Sequence, residues 1–487
     1  MTSITRFNEI SAEIELKVGR TGPSSVCYLG AGVFHTHARW IRFQSVGADG
    51  GRLLLTMTSA GRWTPMRLTG RSFHWPLVLV GALVIARAST PGIAQTGAAS
   101  VAADPSVQRA LEFARATEQD AIRDQIRLCE IPAPPFGEAM RAAAYATAMR
   151  ASGLTNVRTD GVGNVLGERP GRNRKPHLVL SAHLDTVFPA EVPVSVTRDK
   201  NWLRGPGISD DCRGLAVVLA VARALDAAKV QTDGPITFVG TVGEEGLGDL
   251  RGVRALHENT LREQIHRFVS VDGGGYAITN VGIGSRRYRV TFHGPGGHSF
   301  DNFGRANPVN AVGLAIARLA RLETPSVPRT TYSVGRISGG TSINAIPTEA
   351  WMEVDLRSAD AAALKKLDAG FQASVRAALE EENTRRKGHE ALTVSIDLVG
   401  NRPAGRSDQA SPAVEAAVAS LRALGLPVRL VEGSTDANFP MSAGISSIAI
   451  GGGGVGRDAH SPRESFDTTE SWRGTQLVTL LAVALTK

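Results

Sequence analysis

Aromatic side chains are scarce in this 487-residue chain, 5% of the total, and there are only three cysteines. Cys27, Cys129 and Cys212 are too few for a disulfide framework and lack zinc-ribbon spacing. They leave the redox compartment undecided. No basic stripe with interleaved aromatics is present, which argues against nucleic-acid binding. The net charge of +8 does not restore that reading. Residues 1–94 hold ten Lys/Arg against four Asp/Glu, so +6 of the charge lies there and only +2 on the remainder. No internal repeat is visible. The apolar run PLVLVGALVIA (76–86) is too short to span a bilayer as an ordinary helix. What is left is a globular composition, 42% hydrophobic and 21% charged, with 53 glycines that suggest many tight loops. The length allows two or three domains.

That apolar run follows MRLTGRSFHW, with Arg67 and Arg71, and precedes the small-residue site GIA (Gly92–Ala94). A basic region, an apolar run and a small-residue site make a secretory signal. Such a signal should not begin 65 residues into a chain. The sequence therefore predicts a true start at Met66, with 1–65 outside the native protein, 66–94 a signal peptide and 95–106 a linker. An uncleaved anchor or a small N-terminal extension are the other readings. The expected location is exported, periplasmic or secreted, with no stable membrane span after processing. His35 and His37 fall in the doubtful segment and receive no metal role.

Beyond the linker, 107–131 has helical apolar spacing and stops at Pro132, and a second helix fits 138–153. Short apolar strands (177–183, 235–242, 267–272) alternate with an apolar helix (214–225), which implies an α/β domain with a largely parallel core. After Gly284 the pattern changes to β-α-β-β-α-β, the ferredoxin-like order. From about 405 the α/β pattern resumes. The predicted organisation is a catalytic domain in two parts, 105–285 and 403–487, interrupted by an α+β insert at 286–402.

Four motifs sit at predicted strand ends, where open α/β sheets place their sites. They are SAHLDTVFP with His183 and Asp185, GPGISDDCRG with Asp210 and Asp211, GTVGEEG with Glu244 and Glu245, and SVDGGG with Asp272. DAHSP, with His460, follows much later. Each alone fits a surface turn, a helix-dipole complement or a solvated acidic pair. Together they would gather buried carboxylates whose repulsion demands a cation. Histidines with carboxylates suit zinc. A pair of metals about 3.5–4 Å apart needs a bridging ligand, and one Glu can stay unligated as a base. His183 would reach a metal from its strand, with Asp185 holding the other ring nitrogen.

With GPGGHS, GGTSINAIP, VDLR and GSTDAN added, residues 105–487 resemble the co-catalytic zinc hydrolases that include aminoacylase, carboxypeptidase G, peptidase T and succinyl-diaminopimelate desuccinylase. The resemblance implies a zinc exopeptidase (phosphorylase/hydrolase-like) catalytic domain with a ferredoxin-like lid/dimerisation domain, two Zn²⁺ per subunit (Co²⁺ or Mn²⁺ as substitutes) and a homodimer. It implies that His183 and Asp272 bind one zinc, Glu245 and His460 the other, and Asp210 bridges. Asp185 would support His183, Glu244 would be the general base and His298 would help stabilise the oxyanion. Asn344 and Arg357 would contact substrate, the arginine by clamping an α-carboxylate. Arg402 in NRPAG is a weaker candidate for the same contact, with a structural role as the favoured alternative. Cys212 reads as a thiol at a helix N-terminus, with a soft metal ligand as the alternative. Asp272 followed by glycines is more like peptidase T and aminoacylase than the branches with Glu there. The expected substrate is a small peptide, as for a di-/tripeptidase or aminopeptidase. An N-acyl amino acid deacylase is the nearest rival and a non-catalytic dimeric binding protein the remote one.

Overall fold

Asp104 caps a helix of the larger unit: its carboxylate accepts the amide of Ser106 at 2.8 Å at the start of α1 (Pro105–Ala116), with Pro105 in the first turn. The structure, a computed structural model, describes residues 100–386 and 390–487, plus short backbone strands between residues 16 and 66. The chain divides into two units, Met1–Ala88 and Ser89–Lys487. In the first, Val33–Thr36, Arg39–Ser45, Leu55–Ser59 and Arg62–Met66 form an antiparallel meander. The expected signal sequence beyond Met66, and the side chains of Cys27, His35 and His37, lie outside the described residues.

In the second unit, the helix expected over 107–131 is two helices. α1 ends at Thr117, whose hydroxyl donates to the Phe113 carbonyl at 2.8 Å, and α2 (Glu118–Cys129) starts beyond it. The expected linker is already helical at 100–102, and Val101 is buried in the main core. α3 (Ala139–Ala151), β1 (Thr155–Thr159), β2 (Val165–Arg169), β3 (Leu178–His183), α4 (Cys212–Ala227), β4 (Ile236–Thr241), β5 (Arg267–Val271) and β6 (Ile278–Gly282) follow. Next come β7 (Gly284–His293), α5 (Pro308–Leu319), β8 (Thr330–Gly339), β9 (Glu349–Ser358), α6 (Ala361–Arg385) and β10 (Thr393–Arg402). The chain closes with α7 (Pro412–Ala423), β11 (Leu430–Gly433), β12 (Ser446–Ile450) and α8 (Trp472–Ala484).

The main sheet runs β6-β12-β5-β3-β4-β2-β1, with β11 also pairing with β6. Its centre, β12-β5-β3-β4, is parallel; β6, β2 and β1 join it antiparallel, and β11 pairs in parallel with β6. Every residue of β3 and β4 is buried, as expected of strands covered on both faces. This topology has a chemical consequence. All four parallel strands end on the same edge, and His183 lies in register with Thr241. The loops carrying His183, Glu244, Asp272 and His460 therefore leave the sheet together.

Residues 284–402 form a second sheet, β8-β9-β7-β10, antiparallel throughout. The apolar positions of β7 and β9 (Val290, Phe292, Met352, Val354, Leu356) pack with Ala311 and Ala315 of α5 and Phe371 and Val375 of α6 in a separate core. This is the expected ferredoxin-like insert. β8 and β10 are free edges, and Ile337 and Leu398 are exposed on them.

Cys212 corrects a sequence expectation. It is not a free thiol: it is disulfide-bonded to Cys129, with the Cα atoms 5.4 Å apart. The bond joins the last residue of α2 to the first of α4, and both cysteines are fully buried. The partners are 83 residues apart in sequence, a separation no local motif reveals. In the chain-entropy view, closing so long a loop stabilises the fold by about 4–5 kcal/mol. The pairing also removes Cys212 as a metal ligand.

His257 lies against the rings of Phe268 and Phe439 (centroids 6.4 and 5.4 Å), and its Nε2 is buried with no hydrogen-bond partner among the described residues. Burial pushes its imidazole down to about 4. The unfolded chain then binds more protons below about pH 6.5, so stability present above that pH is lost as pH falls toward 4. His257→Phe should melt near wild type at pH 7.5 and several degrees above it at pH 4.5. An equal difference at both pH values would show that His257 does not titrate in this window.

Candidate metal centre

β3 delivers His183 to the edge of the sheet, almost fully buried. Its Nε2 meets Asp210 Oδ1 at 2.9 Å. Its Nδ1 lies 3.0 Å from the main-chain carbonyl of Asp185, whereas the Asp185 carboxylate is 3.6 Å away, too far for a hydrogen bond. This changes the part expected for that carboxylate. It accepts the amides of Glu244 (3.0 Å) and Glu245 (2.8 Å) and so fixes the loop after β4. Burial raises the Asp185 carboxyl, but His183 and the two amides outweigh burial and hold it below its usual range.

The Glu244–Glu245 loop turns through Gly243, at φ +68°, where a Cβ would come within 2.8 Å of Arg251 Cγ. Only glycine takes that turn without strain. Glu245 Oε1 lies 3.0 Å from His460 Nε2, which also lies 3.1 Å from Asp210 Oδ2. Asp210 thus touches both histidines, one with each oxygen. His460 itself holds a left-handed backbone, φ +62°. Asp272, just beyond β5, makes no side-chain hydrogen bond among the described residues and offers an oxygen to the His183–Asp210 group.

Three donor sets result, with the ligand atoms of each within 4.8 Å of one another: His183, Asp210 and Asp272; Asp210, Glu245 and His460; and His183, Glu244 and Glu245. The first two share Asp210. The surroundings are rich in negative charge. Asp185, Asp210, Asp211, Asp272, Glu244, Glu245 and Asp436 face two imidazoles and the guanidinium groups of Arg402 and Arg141, the latter fully buried beside Asp185 and Asp211. Burial, then Asp210 beside it, pushes the Asp272 carboxyl up to about 7. Burial raises Glu244 well above the carboxylate range despite Arg402. Hydrogen bonds to Asp210 and Glu245 push His460 up to about 10. Burial also opposes ionisation of Asp210, but His183 and His460 hold it well below its usual range. Buried surplus charge of this sign, with nitrogen and oxygen donors only, fits divalent cations.

Three residues that the motifs did not assign complete the site. Asp211 is not a second bridge: its oxygens accept the amides of His183, Gly214 and Gly273, each at 3.0 Å, and cap α4. Glu464, fully buried, accepts the amides of Gly207 (3.0 Å), Ser209 and Asp210 (both 2.8 Å), tying the His460 loop to the Asp210 loop. Burial pushes its carboxyl up to about 7. Asp436, in the GSTDAN motif, accepts the Thr241 hydroxyl at 2.5 Å and leaves its other oxygen buried and unpaired. Asp211 stood in GPGISDDCRG and Asp436 in GSTDAN, whereas Glu464 carried no sequence signal.

Among the described residues, none of those expected to contact substrate belongs to these donor sets. The His298 ring meets Asp301 and the His298 amide donates to Asn302 Oδ1 at 2.8 Å, while its backbone pairs with Ala345, next to Asn344. Asn344 accepts the Ser342 hydroxyl at 2.6 Å, and Arg357 pairs with Asp355 at 2.7 Å.

Among curated proteins, a probable carboxypeptidase of Neosartorya fischeri is 30% identical over 206 residues, 38% of this chain and 46% of that protein. The chain thus spans about half the length of the first such relatives it matches. Carboxypeptidase G2 of a Pseudomonas species is 27% identical over 63% of this chain and 75% of its own. Of solved structures, a tripeptidase from Staphylococcus aureus superposes with a TM-score of 0.63 at 22% identity, covering 75% of this chain and 98% of the other. That likeness establishes the fold: an α/β domain with an inserted α+β unit. The profile described as Peptidase family M20/M25/M40 matches residues 179–484, well over half of the chain, and the protein belongs to that family.

Proposed function

We propose that the chain is a two-metal hydrolase that cleaves amide bonds of small peptides. One observation carries this reading: two donor sets share Asp210, and the buried carboxylate of Glu244 stands beside them. His183 and Asp272 would hold one zinc, Glu245 and His460 the other, with Asp210 between. Bound metals of this kind polarise a carbonyl and acidify water. The protein's own groups do the rest. Glu244 accepts the proton of the attacking water and passes it to the leaving amine. The Arg402 guanidinium 3.1 Å from Glu244 Oε1 competes with a cation for that carboxylate, which favours a base over a ligand. Asp185 steadies the Glu244–Glu245 loop. Asn344 and Arg357 bind the substrate's carbonyl and carboxylate when the lid closes, and His298 stabilises the oxyanion.

The homodimer is part of the same proposal. β8 and β10 are free sheet edges, and Phe300, Phe303 and Ile343 are exposed on the insert. Export fits the buried Cys129–Cys212 disulfide, because such bonds persist in oxidising compartments. N-terminal sequencing of exported protein should begin near Gln95; a start within 1–65 would remove the signal reading.

The substrate test is a panel of di- and tripeptides with free or blocked termini, alongside acetylated amino acids. The fungal relatives and carboxypeptidase G2 are named for attack at the C-terminus and the tripeptidase for peptide length, so both ends belong in the panel. Turnover of free peptides is expected, and turnover of acetylated amino acids alone would move the reading to deacylation. Dialysis against a chelator should abolish turnover and lower the melting temperature by linkage, with zinc, cobalt or manganese restoring both. Undiminished activity of metal-free protein would refute the metal assignment.

A further inference from the structure

The chain enters the lid at β7 and leaves it at β10, and the hinge strands touch there: Ser285 pairs with Arg402. Arg402, the last residue of β10, is nearly buried, and its side chain leaves the lid altogether. One terminal nitrogen donates to Glu244 Oε1 at 3.1 Å and to the Ser434 hydroxyl at 3.1 Å. The other donates to the main-chain carbonyl of Glu244. A single guanidinium therefore grips Glu244 by side chain and backbone at once, which its planar fork allows and a lysine cannot match.

Two more contacts run the same way. Arg287 of β7 donates to the Gly246 carbonyl at 2.7 Å, and the Asn401 amide donates to Asp249 Oδ1 at 2.7 Å. Both hinge strands are thus tied to the loop that carries Glu244 and Glu245. On its other side this loop is held by Asp185, which belongs to the catalytic sheet. Glu244 is suspended between a fixed anchor and a hinge.

We propose that Arg402 is a positioning residue that aims the Glu244 carboxylate and makes that aim depend on the lid hinge. The inference rests on Glu244 being the base. A lid rotating about β7 and β10 carries the Arg402 backbone with it, and the grip on Glu244 transmits the movement to the reacting centre. Arg402 needs no contact with substrate to act in this way.

The test uses the metal-loaded enzyme and a double-mutant cycle. Arg402→Ala should keep its bound metal and its KM within about threefold, while kcat falls about thirtyfold, inside the range for groups that orient a reactive residue. In a Glu244→Gln background, where there is no base to aim, the same change should cost less than about threefold. Arg402→Lys keeps the charge but spans fewer acceptors, and its kcat should recover to about a tenth of wild type. A thirtyfold loss in both backgrounds would overturn the proposal, as would a raised KM with intact kcat, the mark of a substrate-binding arginine. If Arg402→Ala does not fold, Arg402→Lys decides: undiminished kcat overturns the proposal. Near-normal turnover of Glu244→Gln alone would instead remove the base assignment, a distinct failure.

Discussion

Glu244→Gln should keep two metals per subunit and lose two to four decades of turnover, about 3–5 kcal/mol of transition-state stabilisation. Glutamine has the same shape and can still accept from Arg402, and the Asp185 contacts go to backbone amides that the change leaves alone. What it cannot do is take up a proton. The measurement also separates two geometries that coexist in the cluster. Glu244 lies within reach of His183 and Glu245 as a third donor set. If it were a ligand, the variant would lose metal along with activity. Metal analysis and kinetics on one sample therefore distinguish base from ligand, and full metal with a near-normal rate would exclude both.

The parts of this centre that could be read from sequence are those written locally. HLVLSAH is a mostly apolar run ending in a histidine, and it forms a strand buried on both faces that ends at His183. Glu244 and Glu245 stand between glycines, and one of these, Gly243, takes a backbone that other residues avoid. The β-α-β-β-α-β order after Gly284 was likewise legible, because the edge strands and helices of the insert are long. What was hidden depends on distant partners. Cys129 and Cys212 meet because α2 packs on α4. Glu464 is one acid in a polar loop until its carboxylate meets three amides more than 250 residues away. Arg402 looked structural because NRPAG says nothing of where a side chain at a strand end will point. β1 and β2 escaped notice for another reason: five residues each, one of them largely polar, carry too little alternation to register.

Mixing two nearly inactive variants should restore activity if His298 works across a dimer. Among the described residues its ring contacts only its own loop, and it is half exposed on the insert. A histidine in that position would act in trans if a second chain brings an active site to it. Two-fold symmetry makes such an exchange reciprocal: each chain lends its histidine and receives one. A donor aimed at a developing oxyanion is worth about 3–4 kcal/mol, so His298→Ala alone should lose two to three decades in kcat. Glu244→Ala should be similarly inactive for an independent reason. When the two variants are mixed under conditions that exchange subunits, each hybrid dimer holds one site with both groups mutated and one with both intact. Half of the subunits pair as hybrids at random, and each hybrid has one working site, so the mixture should approach about a quarter of wild-type activity. If His298 instead serves its own chain, every site in every dimer lacks one group. The mixture then stays at the level of the separate variants even when labelled subunits prove that exchange is complete, and the assignment in trans fails.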